Sequence, residues 1–473
     1  MRLFPARASH RDAPEPAAGD ERGGPAKPRS LIAALLAADV AFAFQQSAIV
    51  PAVQVVQKSL GASPEWSAWL ITVYLIVATI ATPAMGRLAD LRGRRRMLLI
   101  GLAVFLLGSV GAALSPTTGA LLVCRAVQGI GGSVYPLTLA LARRLLPGQR
   151  AARAIALSAG AFGLGTVAGF AGGGLLAHYA SWRWIFVAGA ILVAAGFGLV
   201  AALVPRTAEH AGGEYDWRGT VALAAAAICS LIALTLAVPL GWASPVTAVL
   251  LALAVAAAAA WAWTEARVAD PLIDIHALRA PAVLRANLAS IGLGWGLFSS
   301  YLLVPRFVLA QPAHAGYGLG ADTAAVGLIM LPLAAGQTVA GPVAGWIARR
   351  VPARAVFATG LVLMAGALGW LSAVRSGLPE TAAALLILGT GTGTALQSSS
   401  TVATQGVSSD VAAASSALNS TIRRFAGGIG GQVAIILLAA SGAVTAPPFP
   451  AFTVAYLLAA ALCLGGAATV AFT

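Results

Sequence analysis

Charged residues and cysteines are scarce in this sequence of 473 residues. Only 10% of the residues are charged, whereas about a quarter is usual for a soluble domain. The three cysteines lie far apart within apolar runs, so neither a disulfide framework nor a zinc-type spacing is expected. No nucleophile–base pair or metal-ligand cluster is recognisable either. The sequence therefore argues against an enzyme, and no cofactor or metal is expected.

Apolar residues dominate the chain instead: 59% are hydrophobic, and the mean hydropathy is +0.85. Runs of the ~20 residues that a helix needs to cross hydrocarbon recur along the chain. They predict an all-α membrane protein with fourteen transmembrane helices. The predicted spans are 31–56, 66–86, 97–115, 118–142, 152–178, 184–204, 217–239, 244–264, 286–310, 323–347, 354–373, 379–406, 412–440 and 450–472.

The net charge of +14 would suit a nucleic-acid partner, but the basic residues lie in short loops between apolar runs. This pattern fits the rule that basic loops stay in the cytoplasm. With the N-terminus in the cytosol, Lys58, Arg183 and Arg375 are the basic residues outside. We therefore expect a multi-pass protein of a bacterial inner membrane with both termini in the cytoplasm, and no nucleic acid.

A weak internal repeat divides the chain. GRLADLRGRRR (86–96) follows the second span, and GWIARRVPAR (345–354) follows the tenth. Two parallel six-helix bundles fit this repeat, which is typical of transporters. The predicted regions are a disordered cytosolic tail (1–30), a first bundle (31–205), two inserted spans with an amphipathic connector (206–285) and a second bundle (286–473).

The segment GRLADLRGRRRM (86–97) resembles the loop between helices 2 and 3 of the major facilitator superfamily. The resemblance implies a conformational latch in which an aspartate meets a helix N-terminus across the bundle interface. The latch residues would be Gly86, Asp90, Gly93, Arg94 and Arg95, with Arg423 from the second bundle. The alternative is a basic loop that only sets the orientation.

Further segments resemble the 14-helix drug:proton antiporters of that superfamily: CRAVQGIGG (124–132), GLGTVAGFAGGGLL (163–176), SWRWIF (181–186) and LNSTIRRFAGGIG (418–430). Gly165, Gly169 and Gly173 are spaced by four, so they form one face for tight helix packing. Phe170 replaces the proline that usually follows the central glycine. The resemblance implies a rocker-switch exporter that moves amphipathic small molecules against proton entry.

Asp39 is the one carboxylate deep within a predicted span. The acid usual in span 1 of those exporters falls on Gln45 here, and an amide cannot carry a proton. Asp39, Phe42 and Gln46 share a helix face that is expected to border the cavity. A buried carboxyl group takes up a proton more readily than one in water, so Asp39 is the candidate proton site. The alternatives are a helix-paired aspartate and a substrate contact.

Arg125 is the next deep charge, at about the depth of Gln45 and Gln46. It is expected to face those amides and to remain available to a substrate oxygen as part of the coupling site. The alternative is a structural role in holding helices 1 and 4 together. Because deep arginines outnumber the one deep aspartate, we expect a neutral or weakly anionic substrate.

Spans 1, 4, 9 and 12 should line the cavity by analogy with the superfamily. The candidate substrate contacts are Phe42, Gln45, Gln46, Tyr135, Trp295, Ser299, Tyr301, Gln397 and Thr401. The leading prediction is a monomeric, proton-coupled exporter. The missing acid at Gln45 leaves open a proton-independent uniporter or a lipid-like flippase, and a transport-inactive sensor or scaffold is the alternative of another class.

Overall fold

The structure is a computed structural model that describes residues 28–206, 215–268, 281–405, 409–440 and 447–471. These ranges are helical and contain no strand, which confirms the predicted all-α class. The predicted tail lies outside the described residues up to residue 27. Most of the predicted connector, residues 269–280, also lies outside them.

Eight helices form the first part of the chain: α1 Pro28–Ser47, α2 Val53–Leu60, α3 Pro64–Arg92, α4 Arg94–Leu114, α5 Thr118–Ile130, α6 Val134–Leu145, α7 Gly148–Tyr179 and α8 Arg183–Leu203. Gly93 separates α3 from α4, and its φ of 88° is in the region that favours glycine. More than half of the residues of α1 are buried, and the helix packs against α6, α7 and α8.

Two of the predicted spans in this part are interrupted. Span 1 breaks between α1 and α2, and span 4 breaks at a 3₁₀ turn, Gly131–Ser133, between α5 and α6. A Cβ at Gly131 would lie 2.6 Å from Phe105 Cγ, and one at Gly132 would lie 3.0 Å from Ala78 Cα. The broken segment therefore needs glycines because its backbone touches both α3 and α4.

The inserted helices are α9 Trp217–Leu240 and α10 Pro245–Glu265. The last part of the chain contains α11 Pro281–Leu309, α12 Pro312–Ala315, α13 Thr323–Ile329, α14 Leu331–Ile347, α15 Ala353–Leu371, α16 Leu378–Ala403, α17 Ser409–Ala439 and α18 Phe449–Ala471. The predicted tenth span is thus also interrupted, between α13 and α14, at Met330.

Thirteen helices in the described ranges are long and apolar enough to cross a membrane. The remaining predicted span corresponds to α16, which has 26 residues but carries the polar segments GTGTGT and QSSST. Helix α16 packs against α11, α14, α15 and α17, so protein covers much of its surface. The chain is a multi-pass membrane protein.

Helices α1 to α8 pack mainly on one another, and so do α11 to α18. The two sets meet where α3 packs against α17 and where α7 packs against α13 and α14. Helix α9 packs against α10 and also touches α3 and α17. Most of α10 is exposed, which suits a helix at the lipid boundary.

The glycine face of α7 lies directly on α1. A Cβ at Gly165 would lie 2.6 Å from the Val40 carbonyl oxygen, and one at Gly169 would lie 2.7 Å from that of Phe44. A Cβ at Gly173 would overlap the Ala48 backbone. The three glycines therefore let two backbones approach closely, and α7 continues through Phe170 without a break.

Candidate functional site

Asp39 lies at the junction of three helices and has no accessible surface. Its Oδ1 is 2.6 Å from Thr138 Oγ1 on α6. Ser158 on α7 also adjoins the carboxyl group, but Oδ2 has no hydrogen-bond partner among the described residues. The side chain thus points into protein and is not paired with a described basic residue.

The Thr138 hydroxyl lies between two acceptors. Its Oγ1 is also 2.8 Å from the Tyr135 carbonyl oxygen. A hydroxyl has one proton to donate and can accept in return. If Asp39 is ionised, Thr138 can donate to it; if Asp39 is protonated, Thr138 can accept from it and donate to Tyr135. The same geometry therefore suits both protonation states of the carboxyl group.

A cluster of aromatic rings lies near Asp39 along α1, α4, α6 and α7. Phe42 lies one turn after Asp39, with ring centroids 6.2 Å from Phe105 and 6.0 Å from Phe162. Tyr135 is half-buried and packs on Phe162 at 5.0 Å. The structure thus brings together two predicted substrate contacts, Phe42 and Tyr135, beside the predicted proton site.

Arg125 is buried but is bound to different partners from those predicted. Its Nε donates to the Leu70 carbonyl oxygen at 2.8 Å, and Nη1 donates to Gln128 Oε1 at 2.7 Å. Its guanidinium lies 4.6 Å from the centre of the Tyr74 ring. Arg125 therefore joins span 4 to α3, not to α1.

Arg125 lies far along span 4 from the point at which that span contacts Asp39. Arg125 precedes Thr138, the neighbour of Asp39, by thirteen residues, or about 20 Å at a helical rise of 1.5 Å per residue. Neither Gln45 nor Gln46 is among the described hydrogen-bond partners of Arg125. The expected contact with the span 1 amides is wrong, because Gln128 supplies the amide from its own helix.

Gln45 also lies elsewhere than predicted. Its side chain packs against α8, where a Cβ at Gly189 would overlap the amide. Both amide atoms are buried without a described partner. Gln46 is on the Asp39 face of α1 and is half-buried. Gln45 therefore points away from the face that carries Asp39, and the helical spacing explains this difference.

The predicted latch is only partly assembled. Arg94 forms a salt bridge with Asp90 at 3.0 Å, four residues apart, and Arg95 Nη2 donates to the Ala201 carbonyl oxygen at 2.6 Å. All of these contacts lie within the first bundle. A Cβ at Gly86 would meet nothing within 4 Å, so Gly86 makes no close contact with another helix among the described residues.

Of the two adjacent arginines on α17, Arg424 rather than Arg423 makes described hydrogen bonds across the bundle interface. Arg424 donates to Thr82 Oγ1, to the Ala78 carbonyl oxygen at 3.0 Å and to the Gly132 carbonyl oxygen at 3.5 Å. The described contact of Arg423 is with Ser420 on its own helix, at 3.4 Å. The break in span 4 helps to present the Gly132 carbonyl to Arg424.

The remaining predicted contacts are dispersed over the second bundle. Trp295 packs on α17, where a Cβ at Gly430 would lie 2.7 Å from its Cγ. Ser299 is buried and donates to the Gly296 carbonyl oxygen of its own helix at 3.3 Å. Gln397 and Thr401 are exposed in the second half of α16. The structure does not gather these side chains around Asp39.

Several contacts between the bundles lie near the C-terminal end of α7, which ends at Tyr179. Phe170 packs edge-on against Tyr301 at 5.7 Å, and a Cβ at Gly174 would lie 3.0 Å from Gly327 Cα. His178 Nε2 lies 3.7 Å from Asp322 Oδ2. This half of the interface is therefore closed in the structure.

Thr138 and Ser158 belong to the Asp39 site, but neither could be singled out from the sequence as a neighbour of Asp39. Hydroxyl residues are frequent in membrane helices, where they often bond to their own backbone, so their type and spacing carry little information. Arg424 was recognisable as a deep charge. Its direction, about 100° from Arg423 around the helix, required the packing of α17 on α3.

Two packed sets of membrane-crossing helices make this an integral membrane protein built from two helical bundles. The profile of the Major Facilitator Superfamily matches residues 35–431. The chain belongs to the Major Facilitator Superfamily.

Curated relatives agree with this assignment. The chain is 29% identical over 385 residues to an uncharacterised MFS-type transporter of Mycobacterium tuberculosis, covering 80% of this chain and 55% of the relative. It therefore spans just over half of that protein's length. It is 30% identical over 379 residues to the multidrug resistance protein B homolog of M. tuberculosis, covering 78% of this chain and 69% of the relative.

The tetracenomycin C resistance and export protein of Streptomyces glaucescens is 27% identical over 391 residues, which cover 81% of this chain and 71% of that protein. Among solved structures, a mutant of the nucleoside transporter NupG superposes with a TM-score of 0.65 and 13% identity. That likeness covers 93% of this chain and 98% of NupG and supports the fold alone.

Proposed function

We propose that this transporter exports amphipathic small molecules from the cytoplasm across a bacterial inner membrane in exchange for protons. The observation that carries the proposal is the Asp39 carboxyl group, buried on α1 beside Thr138 without a described basic partner. A carboxylate in such a place is costly to keep ionised, and ionisable groups inside membranes are functional candidates by default. The relatives named for multidrug resistance and export support a drug-like substrate.

Alternating access would proceed by rocking of the two bundles. The contacts of Phe170 with Tyr301 and of Gly174 with Gly327 support a state closed towards the outside. The exposed Gln397 in the second half of α16 supports an opening on the cytoplasmic side. Because α7 packs both on α1 and on α13 and α14 of the second bundle, rocking of that bundle would change the access of water to the carboxyl group.

The proposed substrate is neutral or weakly anionic. Arg125, Arg423 and Arg424 are deep cations, whereas Asp39 is the one deep carboxylate of a predicted span. A purely cationic drug would therefore meet net repulsion in a poorly screened environment. Phe42 and Tyr135 supply apolar and aromatic surface next to the carboxyl group, as amphipathic ligands require.

The second candidate keeps the fold and removes the proton coupling. Gln45 occupies the position at which related exporters usually carry an acid, and its buried amide packs on α8. If Asp39 is only structural, facilitated export or lipid-like flipping remains, and an imposed pH gradient would then not drive substrate accumulation.

A substrate screen in cells that lack other drug pumps tests the proposal. Wild type, Asp39→Asn and the control Glu380→Gln would be compared, since Glu380 is an exposed acid at the start of α16. We expect wild type and the control to export the same compound and Asp39→Asn to lose proton-driven export. Full export by Asp39→Asn at every external pH would contradict the proton role.

A further inference from the structure

A groove with four arginines lies on the surface of the first bundle, where α4 begins and α8 ends. Its volume is about 440 Å³. The basic side chains that line it are Arg92, Arg95, Arg96 and Arg206. Four of the eight lining residues are arginines, and none of the described lining residues is a carboxylate, so the lining of the groove is strongly basic.

The walls of the groove below the arginines are apolar. Leu99, Ile100 and Ala103 come from α4, and Phe197 comes from α8. Ala103 lies seven residues after Arg96, or about 10 Å deeper at 1.5 Å per residue. The groove therefore has a charged end at the membrane edge and an apolar end within the hydrocarbon region.

The apolar end faces lipid. Ile100 is 40% exposed, and the same face of α4 continues through Leu107 at 70% and Leu114 at 75%. Side chains so apolar and so exposed on a membrane-crossing helix contact acyl chains. A ligand in the groove can therefore extend from the arginines into the bilayer.

We propose that this groove binds one anionic phospholipid, with its phosphate among the arginines and the upper part of an acyl chain along the apolar wall. Arginine suits phosphate because its planar guanidinium can donate two parallel hydrogen bonds. Basic pockets between helices at the cytoplasmic side of a membrane suit anionic head groups. A free anion would gain nothing from the lipid-facing wall, so the two-part lining favours a lipid.

The groove is held in shape by one of its own arginines. Arg95 Nη2 donates to the Ala201 carbonyl oxygen at 2.6 Å and so joins α4 to α8. A phosphate next to Arg92, Arg96 and Arg206 would reduce the repulsion between these cations. Lipid binding is therefore expected to stabilise the α4–α8 pair.

Native mass spectrometry of the purified full-length protein tests this site with phosphatidylglycerol and phosphatidylcholine as probes. The variant is Arg92→Gln with Arg206→Gln, which removes two charges but keeps Arg95. The matched control is Arg150→Gln with Arg153→Gln, which removes two exposed charges from the start of α7. We expect the variant to retain roughly tenfold less phosphatidylglycerol than wild type and the control to retain as much as wild type.

Ala103→Trp provides a second variant without a change of charge. It fills the apolar end and should also reduce phosphatidylglycerol retention, while circular dichroism and gel filtration verify that each variant is folded. The proposal would be overturned if the variant and the control lost phosphatidylglycerol equally. It would also be overturned if wild type retained phosphatidylcholine as well as phosphatidylglycerol. Displacement of phosphatidylglycerol by inorganic phosphate alone would show a site for soluble anions and would also overturn it.

Discussion

Replacing Gly173 with alanine tests the close packing of α7 on α1. A Cβ there would overlap the Ala48 carbonyl oxygen and lie 2.7 Å from the carbonyl carbon, whereas real Cβ atoms essentially never come within 3.0 Å of such atoms. The obstructing atoms belong to backbone, so the helices must separate by roughly 1 Å, and overpacking of this kind costs ~1–3 kcal/mol. The higher helix propensity of alanine offsets at most ~1 kcal/mol.

The matched control is Gly160→Ala on the same helix, where a Cβ meets nothing within 4 Å. Thermal unfolding of the purified protein in detergent, followed by tryptophan fluorescence, compares the two variants. We expect Gly173→Ala to lower Tm by a few degrees and Gly160→Ala to leave it unchanged or raise it. Equal shifts for both, or a higher Tm for Gly173→Ala, would refute the reasoning.

Three further predictions concern the bundle interface and α1. Arg424→Ala should lower the initial rate of export several-fold and Arg423→Ala much less, because Arg424 makes the contact with α3. Equal rates for the two variants in a transport assay would contradict a role of that contact in export. A short cleavable cross-linker between His178→Cys and Asp322→Cys, in a variant without other cysteines, should stop transport until the linker is cut. Transport by the linked protein would show that this contact need not open. Gln45→Leu should raise Tm and preserve export, because it removes a buried unpartnered amide that costs ~1–3 kcal/mol; lost export at unchanged stability would restore Gln45 as a substrate contact.

The helical architecture was predictable because bilayer thickness sets the length of each apolar run. The interruptions in spans 1, 4 and 10 were not predictable, because a continuous helix and a broken one give the same apolar run in the sequence. The glycines of GIGGS (129–133) lie against α3 and α4. The sequence did not indicate that Gly131–Ser133 would form a 3₁₀ turn.

The candidate site was predictable only at its centre. Burying a single carboxylate in an apolar run costs free energy, and such residues are usually functional, so Asp39 could be singled out from residue type. Its neighbours Thr138 and Ser158 come from other helices and required the tertiary arrangement. Arg125 and Gln45 show the same limit, because equal depth in the membrane does not place two side chains on facing surfaces.

Proton release on substrate binding tests the central role of Asp39 most directly. A compound from the export screen would be added to purified protein in weakly buffered detergent solution, with a pH-sensitive dye as the readout. We predict that wild type releases protons as the substrate binds, and that Asp39→Asn binds the substrate without releasing them. Equal proton release from wild type and Asp39→Asn would contradict the assignment of this carboxyl group as the proton carrier.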